Sequence, residues 1–352
     1  IEHDLLGEKA IHAEALYGVK TARAIENFQI SGRQLADYPE LVDGYVYTKL
    51  AAARANTDVG KMNSKVRDAI EAGGEAILAG KYRDQFPIDP YQGGAGTSTN
   101  MNVNEVLANA ALLETGRSIG EYDVVEPHDD LNMTQSTNDS YPTALKVAIL
   151  TKNDAMVVEL EKLVAALRDK GDEFIDILKM GRTEMQDAVP MTVGQEFHAI
   201  AAALESEISI IRSYEQPLLG VNMGGTAIGT GLNAPEGYAE RCVQHLVEIT
   251  GREIRLAPDL VEATQDTQPF VLYTSVQKSV AIKLSKICND LRLLSSGPRA
   301  GLNEINLPRK QPASTIMPRK INPVNPEDDN QVIFRANAND LTLTLAAEAG
   351  QL

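Results

Sequence analysis

The segment 311–323 carries the residues best suited to chemistry: two hydroxyls, an ammonium and an amide, at Ser314, Thr315, Lys320 and Asn322. The lysine supplies local positive charge in a chain whose net charge is −16 at pH 7, so this segment favours an anion. A triad-type serine nucleophile needs a histidine base, and no histidine lies near Ser314 in the sequence or in a supporting motif. We therefore expect a different use for this serine.

Two other polar clusters contain donors that suit a carboxylate. The segment 94–102 places Thr97 among glycines, hydroxyls and amides, and further along the chain Ser136, Thr137 and Asn138 follow one another. The first cluster is not a phosphate-binding loop, because the lysine and the glycine spacing of that motif are missing. Helix capping is the alternative for both clusters, and in the second we expect at least one side chain to cap.

These clusters must be positioned by helices, because four long stretches are typical of helices. Three have apolar residues at helical spacings, and the last begins with a proline followed by three carboxylates in its first turn. They run from Pro142 towards Phe174, from about Val193 to Arg212, from about Val271 to Leu294, and onward from Pro326. With few strand signals between them, these stretches predict a mostly helical bundle. Their apolar stripes favour burial between subunits, and a monomeric bundle is the alternative. Polar, glycine-rich loops are predicted at 93–104, 131–141, 181–190, 220–233 and 297–323.

The composition narrows the class of protein. Of 352 residues, 43% are hydrophobic but only 5% aromatic, with no tryptophan, so we expect an aliphatic core divided among two or more lobes. The acidic balance argues against nucleic acid and anionic membranes as partners, and no stretch has the length of a membrane helix. Cys242 and Cys288 lack metal-type spacing and are typical of buried, reduced thiols in a cytoplasmic protein.

The segment 313–322 resembles the signature G-S-S-x-M-P-x-K-x-N of the aspartase/fumarase superfamily. It matches at Ser314, Met317, Pro318, Lys320 and Asn322, whereas Ala313 and Thr315 stand where the signature has Gly and Ser. Further blocks that look like the family's follow in the expected order, at 94–105, 135–139, 181–195 and 226–233. Within the superfamily, 301–308 resembles the aspartase branch more than the fumarase branch.

The resemblance implies a mostly α fold of the aspartase/fumarase type. It implies an N-terminal domain over 1–140 and a central long-helix bundle over 141–352, which assembles into a homotetramer whose active sites draw on several subunits. Members of the family continue into a small C-terminal domain, which we expect to be absent here. The implied reaction is the reversible deamination of L-aspartate, a small dicarboxylate, to fumarate and ammonia. No organic cofactor is implied, and activation by a divalent metal is not readable from the sequence.

The resemblance also implies roles for individual residues. Ser314 would be the base that removes the Cβ proton, which gives an aci-carboxylate intermediate. The β-carboxylate would be held by Thr97, Ser136, Thr137 and Thr315, and the α-carboxylate by Lys320 and Asn322. Thr183 and Asn138 would orient the α-carboxylate and the amino group, and the carboxylate of Glu184 could pair with the substrate ammonium. Two alternatives stay open: a fumarate hydratase or related dicarboxylate lyase, and an inactive helical fragment of the family.

Overall fold

The structure is a computed structural model that describes residues 1–312, 314–317 and 320–351. The departure from the signature at Ala313, and the matched Pro318, lie outside the described residues. The helices of the described chain are α1 Val19–Asn27, α2 Pro39–Asp58, α3 Ser64–Leu78, α4 Thr97–Glu114, α5 Thr137–Glu173, α6 Val193–Ser213, α7 Tyr238–Thr250, α8 Leu260–Gln265, α9 Gln268–Leu294 and α10 Val324–Glu348. The prediction of a mostly helical fold is confirmed.

The strands of the described chain form two-stranded sheets. Two pairs are antiparallel, β1 Glu2–Asp4 with β2 Gly7–Lys9 and β3 Leu178–Thr183 with β4 Gln186–Thr192, and one is parallel, β5 Gly220–Val221 with β6 Arg255–Leu256. The segment 181–190 is therefore part of a hairpin, and the prediction of a loop there was wrong. Exposure does not alternate along β4, because its first five residues are all exposed, so the usual pattern of a half-buried strand is missing there.

The chain divides into two compact units, 1–153 with 217–266 and 154–216 with 267–350. These units are interleaved along the sequence, because each is made of separated segments. The domain boundary predicted after residue 140 follows from the resemblance to the family, and it stays a prediction.

The core of the first unit lies among α2, α3 and α4. Tyr45, Ile70 and Leu107, one from each helix, are fully buried. The helix starts follow local chemistry: Pro39 opens α2 at a position where its missing N–H is not needed, and the Asn63 side chain accepts the N–H of Lys65 at the start of α3. This core supports the beginning of α4, which carries Thr97.

The core of the second unit lies between α6 and α9. Phe197 and Leu204 of α6 pack in one cluster with Ile287 of α9, in agreement with the apolar stripes predicted for both helices. Thr192 and Gln195 form a reciprocal capping box at the start of α6, which explains the sharp change from strand to helix. The predicted helices from about Val193 and from about Val271 are confirmed to within a few residues.

The predicted start of α5 was wrong. The helix begins at Thr137, and Pro142 lies inside it. A proline inside a helix leaves the carbonyl four residues earlier without its N–H partner, and here the Asn138 carbonyl accepts the Asn222 side-chain amide instead, at 3.0 Å. The tertiary contact therefore supplies the hydrogen bond that the sequence withholds.

Two further observations concern the expected environment of the chain. Within the described ranges, none of the helices is both long and apolar enough to cross a membrane. Cys242 and Cys288 are both buried and unpaired, as predicted.

Candidate active site

A cavity of about 750 Å³ opens in the first unit where the beginnings of two helices meet the segment 222–233. Thr97 is the first residue of α4, Thr137 is the first residue of α5, and both line this cavity together with Ser136. Three of the predicted site residues, Thr97, Ser136 and Thr137, are therefore brought together, although Thr97 is distant in sequence from the other two.

The cavity is suited to a carboxylate. The first turn of a helix has backbone N–H groups without helical partners and carries about half a positive charge, so two helix starts in one cavity favour an anion. Lys20 and Lys61 also line it. A chain with a net charge of −16 repels a dianion, and this local positive charge offsets that repulsion at the cavity.

Asp139 ties the beginning of α5 to the segment 222–233. Its buried carboxylate accepts the backbone N–H of Ser136 at 2.9 Å on one oxygen, and those of Gly224 at 3.2 Å and Thr226 at 3.0 Å on the other. Burial raises the pKa of Asp139 to about 6, against these hydrogen bonds and the nearby charge of Lys49. Asp139 thereby joins two walls of the same cavity.

The other polar residues of this cluster have separate tasks. The Ser136 hydroxyl accepts the N–H of Asn138 at 3.2 Å, so the prediction that one of these side chains caps a helix is confirmed. The Asn138 amide donates to the Ala227 carbonyl at 2.7 Å, and Asn138 is not among the residues described as lining the cavity. In this conformation Asn138 holds the loop of Ala227.

A buried polar network connects the two helices whose first turns line the cavity. The ammonium of Lys49, only 1% exposed, donates to Gln135 at 2.9 Å and to Asn132 at 3.2 Å. Asn100 of α4 donates to the same Asn132 oxygen at 2.8 Å and accepts the Ser140 hydroxyl at 3.2 Å. Burial lowers the pKa of Lys49 to about 7. The network links α4 and α5 and restricts how their first turns can move.

The second unit holds the other predicted residues. The Ser314 hydroxyl oxygen accepts the backbone N–H of Met317 at 3.0 Å and that of Ile316 at 3.4 Å. Donors aimed at this oxygen stabilise negative charge on it, which is what a serine base requires. Lys320 and Asn322 line a cavity of about 580 Å³, whereas Ser314 and its exposed neighbour Thr315 are not among the residues described there.

Thr183 and Glu184 lie at the exposed tip of the β3–β4 hairpin. Glu184 and Met185 have positive φ values of 52° and 62°, as a two-residue hairpin turn requires, although asparagine and glycine are the usual residues there. Glu304 pairs with Arg182, next to Thr183, and with Lys179 at 2.9 Å. The hairpin is thereby tied to the segment that leads to the cavity of Lys320.

Sequence reasoning missed several lining residues. Lys20 and Lys61 line the first cavity, and Arg292 lines the second. No spacing in the sequence relates Lys20 to Thr97. Thr226 and Asn233, also in the first cavity, stand at the ends of the block 226–233, so a signal for them was present.

One group of side chains has the composition of a metal site. Glu126, His128 and Asp129 each offer an atom within 4.8 Å of the others. However, the Glu126 carboxylate already accepts the backbone N–H groups of both His128 and Asp129, and the two latter residues are exposed. These contacts are those of a capped turn, so we assign no metal to it.

The helical fold, with its hydroxyls, amides and lysines gathered at helix starts and in one signature loop, is that of a lyase of the aspartase/fumarase type. The family model described as "Lyase" matches residues 7–337, and the chain belongs to this family. It is 52% identical, over its whole length and 74% of the relative's, to the aspartate ammonia-lyase of Pseudomonas aeruginosa. The predicted superfamily is confirmed.

Solved structures give the same result for the fold. The fumarate lyase:delta crystallin of Brucella melitensis bound to cobalt is 49% identical, with a TM-score of 0.97 over 100% of this chain and 76% of that one. A class II fumarase from Schistosoma mansoni is 34% identical, with a TM-score of 0.92 over 99% of this chain and 76% of that one. The likeness in sequence is thus greater to the enzyme named aspartate ammonia-lyase than to this fumarase.

Proposed function

We propose that this protein is an aspartate ammonia-lyase, which converts L-aspartate reversibly to fumarate and ammonia. The observation that carries the proposal is the cavity in which hydroxyls at the starts of α4 and α5 line one positively polarised space. The choice of aspartate over another dicarboxylate is supported by the 52% identity to the Pseudomonas aeruginosa enzyme of that name.

In the proposed mechanism, Ser314 is the base. It takes the proton from Cβ, and the electron pair of that bond moves into the β-carboxylate, which becomes a dianionic aci-carboxylate. The electron pair then returns to form the double bond as the C–N bond breaks and ammonia leaves. The N–H groups of Ile316 and Met317 support this role, because they would stabilise a serine alkoxide.

The remaining residues are proposed to bind and orient the substrate. The β-carboxylate would be held by Thr97, Ser136, Thr137 and Thr315, and the α-carboxylate by Lys320 and Asn322. Thr183, Glu184 and Asn138 would orient the α-carboxylate and the amino group. For Asn138 this requires that its amide exchange the Ala227 carbonyl for substrate.

The assembly and location are also proposals. We propose a homotetramer with active sites composed of residues from several subunits, supported by exposed apolar side chains on the long helices, including Phe334 and Leu341 of α10 and Ile282 of α9. The domain division at residue 140 belongs to the same proposal. A cytoplasmic location agrees with two unpaired cysteines.

The first experiment follows the ultraviolet absorbance of fumarate, with L-aspartate and separately with L-malate as substrate. Turnover of aspartate but not of malate is expected. Turnover of malate alone would favour a fumarate hydratase, and no turnover of either would favour an inactive member of the family.

Two variants test the assigned roles. Ser314→Ala should abolish turnover while it keeps succinate binding and the helical circular-dichroism signal, and Ser206→Ala, on an exposed part of α6, is the matched control. Activity retained by Ser314→Ala would exclude this serine as the base.

Lys320→Ala should raise the KM for aspartate about tenfold or more, as expected for loss of a charged hydrogen bond. An unchanged KM would remove Lys320 from the carboxylate site.

A further inference from the structure

Lys20 is a cation that lines the first cavity. Among the residues that the structure describes, its ammonium forms no ion pair, and its nearest recorded polar contact is the Met101 sulfur at 3.9 Å. A thioether is a weak acceptor. Asp4, whose charge Lys20 also feels, is held by Arg23 through two contacts of 2.8 Å. The ammonium of Lys20 therefore has donors left for a ligand.

The backbone of Lys20 is held firmly. Glu105 of α4, only 3% exposed, accepts the N–H of Gly18 at 2.8 Å, that of Lys20 at 2.9 Å and that of Thr21 at 3.1 Å. These are the N–H groups at the start of α1, which have no partners inside that helix. The carboxylate thus fixes the first turn of α1, and Lys20 with it, against α4.

One face of α4 connects this anchor to the substrate cavity. Thr97, Met101 and Glu105 are spaced four residues apart, so they follow one another along the same face, about 5–6 Å from one to the next. Glu105 binds the Lys20 backbone, Met101 contacts its ammonium, and Thr97 lines the cavity. The Lys20 ammonium consequently lies about one helical turn from Thr97. Lys20 and Met101 line the first cavity and also a neighbouring one that Glu105 lines.

We propose that Lys20 binds the carboxylate held by Thr97, Ser136 and Thr137, and that it stabilises the second negative charge which this carboxylate gains in the transition state. The second part rests on the proposed ammonia-lyase reaction, in which the Cβ electron pair moves into that carboxylate. A fixed cation is worth more against a dianion than against a monoanion, so its effect is larger in the transition state than in the ground state.

Lys61 provides a matched control. It also lines the cavity, but it is exposed and belongs to the turn between α2 and α3, where its backbone N–H donates to the Asn56 carbonyl at 2.8 Å and not to a carboxylate. The test compares Lys20→Gln, Lys20→Arg and Lys61→Gln in the full chain. It measures kcat and KM for aspartate, and the dissociation constant of succinate, an unreactive dicarboxylate, by calorimetry.

Lys20→Gln is expected to weaken succinate binding about threefold or more and to lower kcat/KM by a larger factor, about tenfold to a hundredfold. Lys20→Arg should recover part of the loss. Lys61→Gln should weaken succinate binding and lower kcat/KM by smaller factors than Lys20→Gln, because an exposed ammonium is screened by water. Unchanged circular dichroism and thermal unfolding would show that Lys20→Gln folds.

Each other result is decisive. If Lys20→Gln behaves like Lys61→Gln in both measurements, the proposal is overturned. If kcat/KM falls only as much as succinate binding weakens, Lys20 binds the carboxylate but has no special role in the transition state. If the wild type does not deaminate aspartate, the proposed function fails, and the succinate comparison still decides whether Lys20 binds a carboxylate.

Discussion

Replacing Gly96 with alanine tests whether the close contact between the beginnings of α4 and α5 sets the geometry of the first cavity. Gly96 immediately precedes Thr97 and has a φ of 84°. A Cβ added there would overlap the ring of Tyr141, which lies in the first turns of α5. That ring packs edge-on against the fully buried Tyr45, with centroids 5.9 Å apart, so it has little room to move.

Gly94→Ala separates backbone strain from this overlap. Gly94 has a φ of 92°, and no described atom lies within 4 Å of a Cβ placed on it. Both variants force alanine into a left-handed conformation, which costs about 1–2 kcal/mol. Only Gly96→Ala adds overlap with a packed ring, which costs about a further 1–3 kcal/mol. The difference between the two variants therefore measures the contact between the helix starts.

The two variants are compared by urea unfolding and by the KM for aspartate. Gly96→Ala should unfold at lower urea than Gly94→Ala. It should also raise KM by about tenfold or more, because each 1.4 kcal/mol of lost binding is about a factor of ten and the methyl pushes Thr97 away from Thr137. Equal unfolding midpoints and equal KM values in the two variants would refute the argument that this contact positions the hydroxyls.

Three further predictions concern buried charges. Asp139→Asn should raise the KM for aspartate several-fold, because an amide nitrogen cannot accept the two N–H groups of the segment 222–233. The control is Asp89→Asn, which also loses a carboxylate oxygen that accepts backbone N–H groups, but away from the cavity lining. It should lower stability and leave KM unchanged. For Asp89 itself, burial acts to raise the pKa, but its hydrogen bonds outweigh this and lower it to about 2. Its folded pKa is then below the unfolded value of about 3.9, so its stabilising effect is present above that pH and is lost as the pH falls towards 2. The difference between the urea midpoints of wild type and Asp89→Asn should therefore shrink from pH 5 to pH 3. A constant difference would contradict the assignment. Lys283→Met should destabilise the chain by about 1–3 kcal/mol, because it leaves the carboxylate of Glu207, 2% exposed, without the ammonium at 2.6 Å. Adding Glu207→Gln should restore most of the loss, and an equally unstable double variant would show that the lysine acts through packing alone.

Much of the long-helix architecture was predictable because the buried face of a helix appears in its own sequence as apolar residues at a fixed spacing. The stripes of α6 and α9 repeat every three or four residues, and the same residues, such as Phe197 and Ile287, pack in the core. The start of α5 was not predictable in this way. In the sequence, Pro142 indicates a helix boundary. Only the hydrogen bond from the Asn222 side chain to the Asn138 carbonyl shows why the helix can begin earlier.

The individual site residues divide along the same line. Ser314, Lys320 and Asn322 share one segment, so their types and spacing are enough to indicate anion chemistry. Lys20 carries no such signal, because its place beside Thr97 depends on how α1 packs on α4 through Glu105.

The sequence by itself determined the helical class, the family and the signature loop, because periodicity and motif spacing are properties of neighbouring residues. Only the tertiary structure decided that Thr97 and Thr137 line one cavity and that Asp139 joins its walls. The same holds for Lys20, which stands there without a carboxylate partner among the described residues. The physical reason is that contacts between distant segments follow from the burial of whole helix faces, and no short stretch of sequence encodes which faces meet.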